Sequence, residues 1–148
     1  MKGLMQDWPL LVHTFIDHAS IHHGDREIIT RKVEGDIHRT NYSEIHSRSR
    51  KFSKALIKIG VKKSDVIGTL AWNTHRHLES WYGITGVGAI YHTLNPRLFM
   101  EQLEYIINHA ENKFIVSDIS FVKILEGLEG KIPNVKGIIF LTDKENMP

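Results

Sequence analysis

The first apolar pattern along this chain has the period of a helix. Between Leu10 and His23, apolar residues recur every three to four positions, and Gly24 follows as a stop signal. The predicted apolar face of this first helix contains four residues, Leu11, Phe15, Ala19 and His22.

A predicted hairpin and a second helix come next. The segments Glu27–Val33 and Ile37–Thr40 lie on either side of a polar turn that contains glycine, which is typical of two antiparallel strands. Asn41 stands three residues before Glu44, a spacing that resembles a helix capping box, and Gly60 is placed to end that helix. Its predicted inward face contains Ile45, Phe52, Leu56 and Ile59.

The rest of the chain alternates between apolar strands and amphipathic helices. The predicted strands are Asp65–Trp72, Ala89–Leu94, Lys113–Asp118 and Gly137–Thr142. The predicted helices are Thr74–Thr85, Leu98–Ala110 and Phe121–Leu128, the second with Leu98, Leu103, Ile106 and Ile107 facing inward. Strands this apolar, alternating with helices, predict an α/β fold with a mostly parallel sheet, flanking helices in a three-layer-like arrangement, and an N-terminal β-hairpin. Residues 142–148 add no element that would close the sheet, so we expect a partial fold from a larger protein.

Composition fits one soluble globular domain of 148 residues, with 41% hydrophobic and 24% charged residues. The net charge of +2 is too small to indicate a nucleic-acid partner. A predicted helix carries five basic residues, which we interpret as a solvated face: Arg48, Arg50, Lys51, Lys54 and Lys58. The absence of cysteine excludes disulfides and thiolate chemistry and is compatible with a cytoplasmic location. Residues 1–7 contain no apolar run typical of a signal peptide, and no stretch of the sequence predicts a membrane span.

The one glycine cluster, Gly83, Gly86 and Gly88, does not have the spacing of a dinucleotide fingerprint. These glycines end a predicted helix and lead into a strand, whereas phosphate loops follow a strand and open a helix. We interpret them as a tight turn with close packing. The lack of a phosphate loop also weighs against a small Rossmann-like nucleotide binder.

The ten histidines suggest no metal site, because their spacings do not suit a set of ligands on one helix. The pairs considered are His22–His23, His75 with His77, and His18 with His22. They are interpreted as surface or half-buried packing residues. No G-x-S-x-G nucleophile turn occurs in the sequence.

Two polar positions remain as candidates for a site. Asp118 at a strand end, with Ser120 after it, lies where α/β proteins bind ligands, but a helix cap is the simpler interpretation. Glu79 follows His75 by four residues, a pair that is either structural or faces a neighbouring subdomain. The residues therefore predict no catalytic, cofactor-binding or metal-binding position.

A family resemblance rests on the central motifs. These are Asn73-Thr74-His75-Arg76-His77-Leu78-Glu79, Gly88-Ala89, Asn95-Pro96-Arg97-Leu98 and Asn41-Tyr42-Ser43-Glu44. In this order and spacing, over about residues 10–142, the chain resembles the N-terminal region of adenylate-forming acyl-CoA synthetases. The likeness is greatest to members that act on medium- and long-chain fatty acids.

This resemblance implies that the full-length enzyme activates a carboxylic acid with ATP and Mg to an acyl-adenylate and transfers the acyl group to CoA. The family's phosphate loop, adenylate motif and C-terminal lysine normally lie downstream of this region. Residues 1–148 would thus form an N-terminal α/β subdomain, inactive alone, whose partners are the downstream ATP-binding and C-terminal domains of the same polypeptide. The implied location is cytoplasmic, with peripheral membrane association open for the full-length enzyme.

The alternative is a free-standing interaction or oligomerisation module of the same fold. For a subdomain separated from its downstream partner we expect part of the sheet or of a helix face to be exposed, because few helices are available to cover such apolar strands. Self-association, as a symmetric homodimer, is the expected consequence.

Overall fold

The computed structural model describes Gly3 and residues 7–148, so most of the segment considered for a signal peptide lies outside the described residues. In chain order the elements are α1 (His13–His22), β1 (Glu27–Arg31), β2 (Ile37–Asn41), α2 (Tyr42–Lys58), β3 (Val66–Leu70), α3 (His75–Gly86), β4 (Ile90–Thr93), α4 (Met100–His109), β5 (Phe114–Ser117), α5 (Val122–Gly127) and β6 (Ile138–Phe140). The predicted alternation of strands and helices is confirmed.

The four later strands form one parallel sheet in the order β4-β3-β5-β6. The chain runs outward from β3 to β4, crosses back beside β3 to form β5, and continues to β6. This is the doubly wound arrangement, in which the strand order reverses between β3 and β5. The hairpin β1–β2 is a separate antiparallel sheet, paired from Glu27 opposite Asn41 to Arg31 opposite Ile37.

Helices cover the parallel sheet on both faces, which confirms the three-layer fold class. Alternate residues of β5 point to opposite faces, so Val116 packs with α2 and α3 through Leu56 and Ile84. Ile115 packs on the other face with α4 and α5, through residues such as Leu103. The central strands β3 and β5 are buried, as near-continuous apolar parallel strands require.

The predicted limits of the second helix are confirmed by local geometry. The Asn41 side chain accepts a hydrogen bond from the Glu44 backbone N–H at 2.9 Å, which caps the start of α2. Gly60 has a φ of +93°, the left-handed conformation that ends a helix most easily at glycine. On the inward face Ile45 and Leu56 are fully buried, but Ile59 is exposed because it lies beyond the last helical turn.

The prediction for the first helix was wrong in its start and its buried face. α1 begins at His13, and Phe15 is 72% exposed whereas Ile16 is 2% exposed. Apolar residues lie on two sides of this helix, and only its contact with α2 decides which side is buried. The helix predicted from Leu98 likewise begins later, at Met100, although Leu98 still packs against the core.

Exposed apolar side chains lie mainly outside the covered sheet. Ile29 and Ile37 project from one face of the hairpin, and Trp81 lies on the outer side of α3. At the sheet edges, Ile90 of β4 and Ile138 of β6 are partly exposed. No helix within the described residues combines the length and apolar character needed to cross a bilayer.

Candidate functional site

The carboxyl ends of β3 and β5 meet at the point where the strand order reverses, the usual place for a ligand in this fold class. Here the Asp118 side chain accepts a hydrogen bond from the Trp72 backbone N–H at 2.6 Å. Asp118 makes no side-chain cap bond to the turn that follows, so the helix-cap interpretation was wrong. Its carboxylate instead joins the ends of two neighbouring strands.

The environment of Asp118 is closed. The residue is 1% exposed, its Oδ1 atom has no hydrogen-bond partner among the described residues, and burial raises the pKa of the carboxyl. The indole of Trp72 packs on Phe121, with ring centroids 5.3 Å apart, beside this end of the sheet. Ser120, the other candidate at this position, is exposed and contributes nothing to the contact.

A buried ionic cluster, which the sequence did not predict, ties the hairpin turn to the end of β6. Arg76, near the start of α3, donates to Glu34 at 2.8 Å and pairs with Asp143 at 2.9 Å. Arg76 also donates to the backbone carbonyl of Leu141, and the Thr142 hydroxyl donates to Glu34 at 2.9 Å. We call Arg76, Glu34, Thr142 and Asp143 the clasp. It joins segments more than one hundred positions apart in the sequence.

The clasp perturbs the ionisation of its acids. Partial burial acts to raise the pKa of Glu34, but the hydrogen bonds, that from Arg76 foremost, outweigh it and lower the pKa. The same balance holds for Asp143, where burial is opposed by the charge of Arg76 and the pKa is again lowered. Both carboxylates are thus held in their charged form.

Beside the clasp, His75 stacks on His38 of β2, with ring centroids 3.9 Å apart. His75 is 4% exposed, and its Nδ1 atom has no hydrogen-bond partner among the described residues. Burial, with smaller contributions from His38 and the nearby cations, lowers the pKa of His75 to about 4. The imidazole is therefore a neutral packing group near pH 7.

Glu79 does not pair with His75, contrary to one of the alternatives considered from the sequence. Its buried carboxylate pairs with Arg48 of α2, so it joins the two helices on one face of the sheet. The Glu79 hydrogen bond raises the pKa of Arg48 above its usual value. Of the five basic residues interpreted as a solvated face, at least this one has a structural partner.

The glycine cluster packs helices together and offers no phosphate cradle. A Cβ on Gly83 would lie 2.7 Å from Phe52 and 3.1 Å from the backbone oxygen of Ser49, so α2 and α3 touch here. Gly88 has a φ of +73° and forms the turn into β4. The interpretation as a tight turn with close packing is supported.

Two further ring contacts involve histidines considered as metal ligands. His18 and His22 have centroids 4.5 Å apart on the outside of α1, and His77 stacks on Tyr91 at 5.9 Å. Within the part of the chain that the structure describes, no group of three or more metal-ligating side chains is assembled.

A shallow, mostly apolar groove of about 530 Å³ lies between the hairpin, the start of α3 and β4. Its apolar lining includes Ile28, Ile29, Leu78, Trp81 and Tyr91. Local sequence patterns did not predict it, because three separate elements form it.

Fold and side chains together define a three-layer α/β domain of the doubly wound class, in which the polar residues singled out above serve structural contacts. The model of the AMP-binding enzyme family matches residues 16–147, and the chain belongs to that family.

Named relatives agree with the family assignment. Over 141 residues, 95% of this chain, the sequence is 43% identical to the 3-methylmercaptopropionyl-CoA ligase of Ruegeria lacuscaerulensis and 40% identical to the medium-chain-fatty-acid–CoA ligase of Ectopseudomonas oleovorans. Among solved structures, the N-terminal domain of FACL13 from Mycobacterium tuberculosis shares the fold, with a TM-score of 0.81 and 14% identity over 90% of this chain and 34% of that one. The chain spans 26% of the length of the two ligases.

Proposed function

We propose that this chain is the N-terminal α/β subdomain of an AMP-forming fatty-acyl-CoA ligase and serves as a scaffold for the catalytic domains. The observation that carries the proposal is the 40–43% identity to two acyl-CoA ligases over 95% of the chain. Both relatives are named for CoA ligation, and one for medium-chain fatty acids. The full-length protein would use ATP, Mg and CoA in the cytoplasm.

The chain's own residues do not fit ATP or Mg. The space next to Gly83 is filled by Phe52 and the Ser49 backbone, which leaves no room for a phosphate at that glycine. Asp118, at the end of the sheet where a nucleotide would be expected, is enclosed and bonded to Trp72. We therefore assign no catalytic step to this region and propose that it is inactive by itself.

The scaffold role is supported by the distribution of exposed apolar residues. Two-stranded hairpins are marginal alone in water, and β1–β2 exposes Ile29 and Ile37, of which Ile29 lines the same groove as Trp81 of α3. Since about three quarters of each ligase has no counterpart in this chain, we propose that the downstream domains of the same polypeptide pack over this hairpin face.

A chimera tests the proposal directly. The matching residues of the Ectopseudomonas oleovorans ligase are replaced by this chain, and CoA ligation of a medium-chain acid is measured. We expect substantial activity, because the subdomain supplies packing surfaces and not reacting groups. A chimera that melts cooperatively like the parent ligase but forms no acyl-CoA would contradict the proposal.

A second function, a free-standing interaction module, is favoured by one observation. Both faces of the parallel sheet are already covered within the chain, so it has a core of its own. Such a module would fold and associate without a ligase, and the inactive chimera described above would favour it.

A further inference from the structure

A second concavity, of about 580 Å³, lies between α1, α2 and the carboxyl end of α3, away from the clasp and the apolar groove. We call it the basic cleft. Its apolar lining consists of Ile16, Ile57, Val61 and Val87. The volume falls within the range of small-molecule sites, about 300–1,000 Å³.

Three cations line the basic cleft: Arg50 and Lys54 of α2, and Lys63 of the following loop. Within the described residues, no carboxylate lies within 4 Å of any of these three side chains. The contrast with Arg48 on the same helix is informative, because Arg48 has a buried carboxylate partner in Glu79. Among the basic residues of α2, Arg48 is therefore structural, whereas Arg50 and Lys54 face the cleft without a carboxylate within 4 Å.

The acidic residue of the basic cleft does not neutralise it. Asp17 of α1 accepts from His46 Nε2 at 2.8 Å and lies more than 4 Å from the charged nitrogens of Arg50, Lys54 and Lys63. A Cβ on Gly88 would lie 3.2 Å from Cγ of Lys63, so the stem of that lysine is held over the turn into β4. Among the arginine, lysine and acidic side chains of the lining there are three positive charges against one negative charge.

We propose that the basic cleft binds an aliphatic carboxylate, with the carboxylate near Arg50, Lys54 and Lys63 and the alkyl tail on Ile57 and Val87, since Ile16 and Val61 are almost fully buried. Guanidinium and ammonium donors make charge-assisted hydrogen bonds to a carboxylate. Transfer of a short alkyl chain onto the aliphatic lining removes apolar surface from water. The site is separate from the scaffold role and does not depend on it.

The proposal is tested by measuring octanoate binding to the 148-residue chain. Isothermal titration calorimetry and the NMR chemical shifts of the α2 amides report the binding. We expect one saturable site per chain, weakened by added salt because its charges are solvent-accessible. Octanol has a comparable tail without the charge, and acetate has the charge without the tail. Octanol should bind at least about tenfold more weakly than octanoate because the charge-assisted contact is lost. Acetate should also bind at least about tenfold more weakly, because several buried methylenes are lost.

Paired variants locate the site. Arg50→Met and Lys54→Met keep much of the side-chain length and remove the charge, and each should weaken octanoate binding about tenfold. Lys58→Met, on the same helix but outside the basic cleft, should bind octanoate like the unchanged chain. Thermal melting of each variant checks that folding is retained.

Three results would overturn the proposal. The first is no saturable octanoate binding, and the second is equal affinity for octanol. The third is binding that Arg50→Met and Lys54→Met leave unchanged while both variants remain folded. Tight binding of an acidic peptide with no binding of octanoate would also overturn it, because the basic cleft would then be a protein-docking surface.

Discussion

At the scale of single residues, burial controls the ionisation of His75. Its pKa falls to about 4 in the folded chain, against an ordinary value near 6.5. Between these two pH values the unfolded chain takes up a proton that the folded chain does not, so stability must fall as pH drops through this window. Above pH 6.5 the contribution of His75 to the free energy of unfolding does not change with pH.

The resulting prediction concerns acid stability. The free energy of unfolding should decrease by up to about 3 kcal/mol between pH 6.5 and pH 4, measured by urea denaturation at several pH values. His75→Gln does not titrate and should flatten this pH dependence. His22→Gln, an exposed position of α1, should leave it unchanged. The account would be contradicted if the free energy of unfolding fell equally steeply with decreasing pH in the unchanged chain and in both variants.

Gly83 allows a second prediction at this scale. Gly83→Ala should lower the free energy of unfolding by about 1–3 kcal/mol, since the new methyl group would press on Phe52 and the Ser49 backbone. Gly86→Ala is the matched control in the same helix. Its Cβ would meet only the Ser53 hydroxyl at 3.2 Å, so we expect little change. Chemical denaturation of both variants measures the difference, and equal effects would contradict close helix packing at Gly83.

Single-residue roles were the part of the structure that sequence reasoning predicted least well. The partner of Glu79 is Arg48, thirty-one positions away, and the partner of Asp118 is the backbone of Trp72, forty-six positions away. Spacing along one helix or one strand end contains no information about such contacts. The local features, such as the Asn41 cap and the Gly60 stop, were predicted because neighbouring residues determine them.

At the scale of elements, the clasp fixes the hairpin to the parallel sheet. The Arg76 side chain is 8% exposed and the Glu34 side chain 11% exposed. Removal of either side chain would therefore leave the other charge largely buried without its counter-charge. The clasp also holds Thr142 and Asp143, which follow the last strand. It therefore determines how the hairpin lies against the end of β6.

We expect Arg76→Met to destabilise the chain by about 3 kcal/mol, because an unpaired buried carboxylate remains. The double variant Arg76→Met/Glu34→Gln should recover part of that loss. Arg39→Met removes an exposed pair with Glu27 inside the hairpin and should cost less than about 1 kcal/mol. Denaturant titrations measure all three variants, and amide hydrogen exchange reports the hairpin. An equally small effect of Arg76→Met and Arg39→Met would show that the clasp is not a structural joint.

Elements were predicted well where their hydrophobic period had a single interpretation. The buried strands β3 and β5 are apolar at nearly every position and could not be mistaken for an amphipathic helix of this length. α1 was recognised as a helix, but its start and its buried face were predicted wrongly, since Leu11, Phe15 and Ile16 offer competing apolar faces. Only packing against α2 distinguishes them.

At the scale of the whole molecule, the exposed hairpin face bears on assembly. The sheet is covered on both sides, so the exposed surface expected from the sequence is found on β1–β2 and α3 and not on the body of the sheet. Ile29 and Ile37 lie on the same face of the hairpin, and Ile29 lines the same groove as Trp81. Exposed apolar patches of this kind drive association when nothing covers them.

The isolated chain should therefore form a dimer at micromolar concentration, by sedimentation equilibrium. Ile29→Thr/Ile37→Thr keeps β-branched residues in the strands and should shift the chain toward monomer. Ile21→Thr, an exposed position of α1, should leave the dimer intact. A monomer that binds no dye for apolar surface would contradict this prediction and favour the self-contained module.

The central claim is that this region supports ligase chemistry without performing it. The most direct test incubates the purified 148-residue chain with ATP, Mg and octanoate and measures pyrophosphate release, with the active chimera as the positive control. The account predicts no release above the blank, because the family resemblance implies that the phosphate loop, the adenylate motif and the C-terminal lysine lie downstream of these 148 residues. Pyrophosphate release that requires the fatty acid and persists through repeated purification would contradict it.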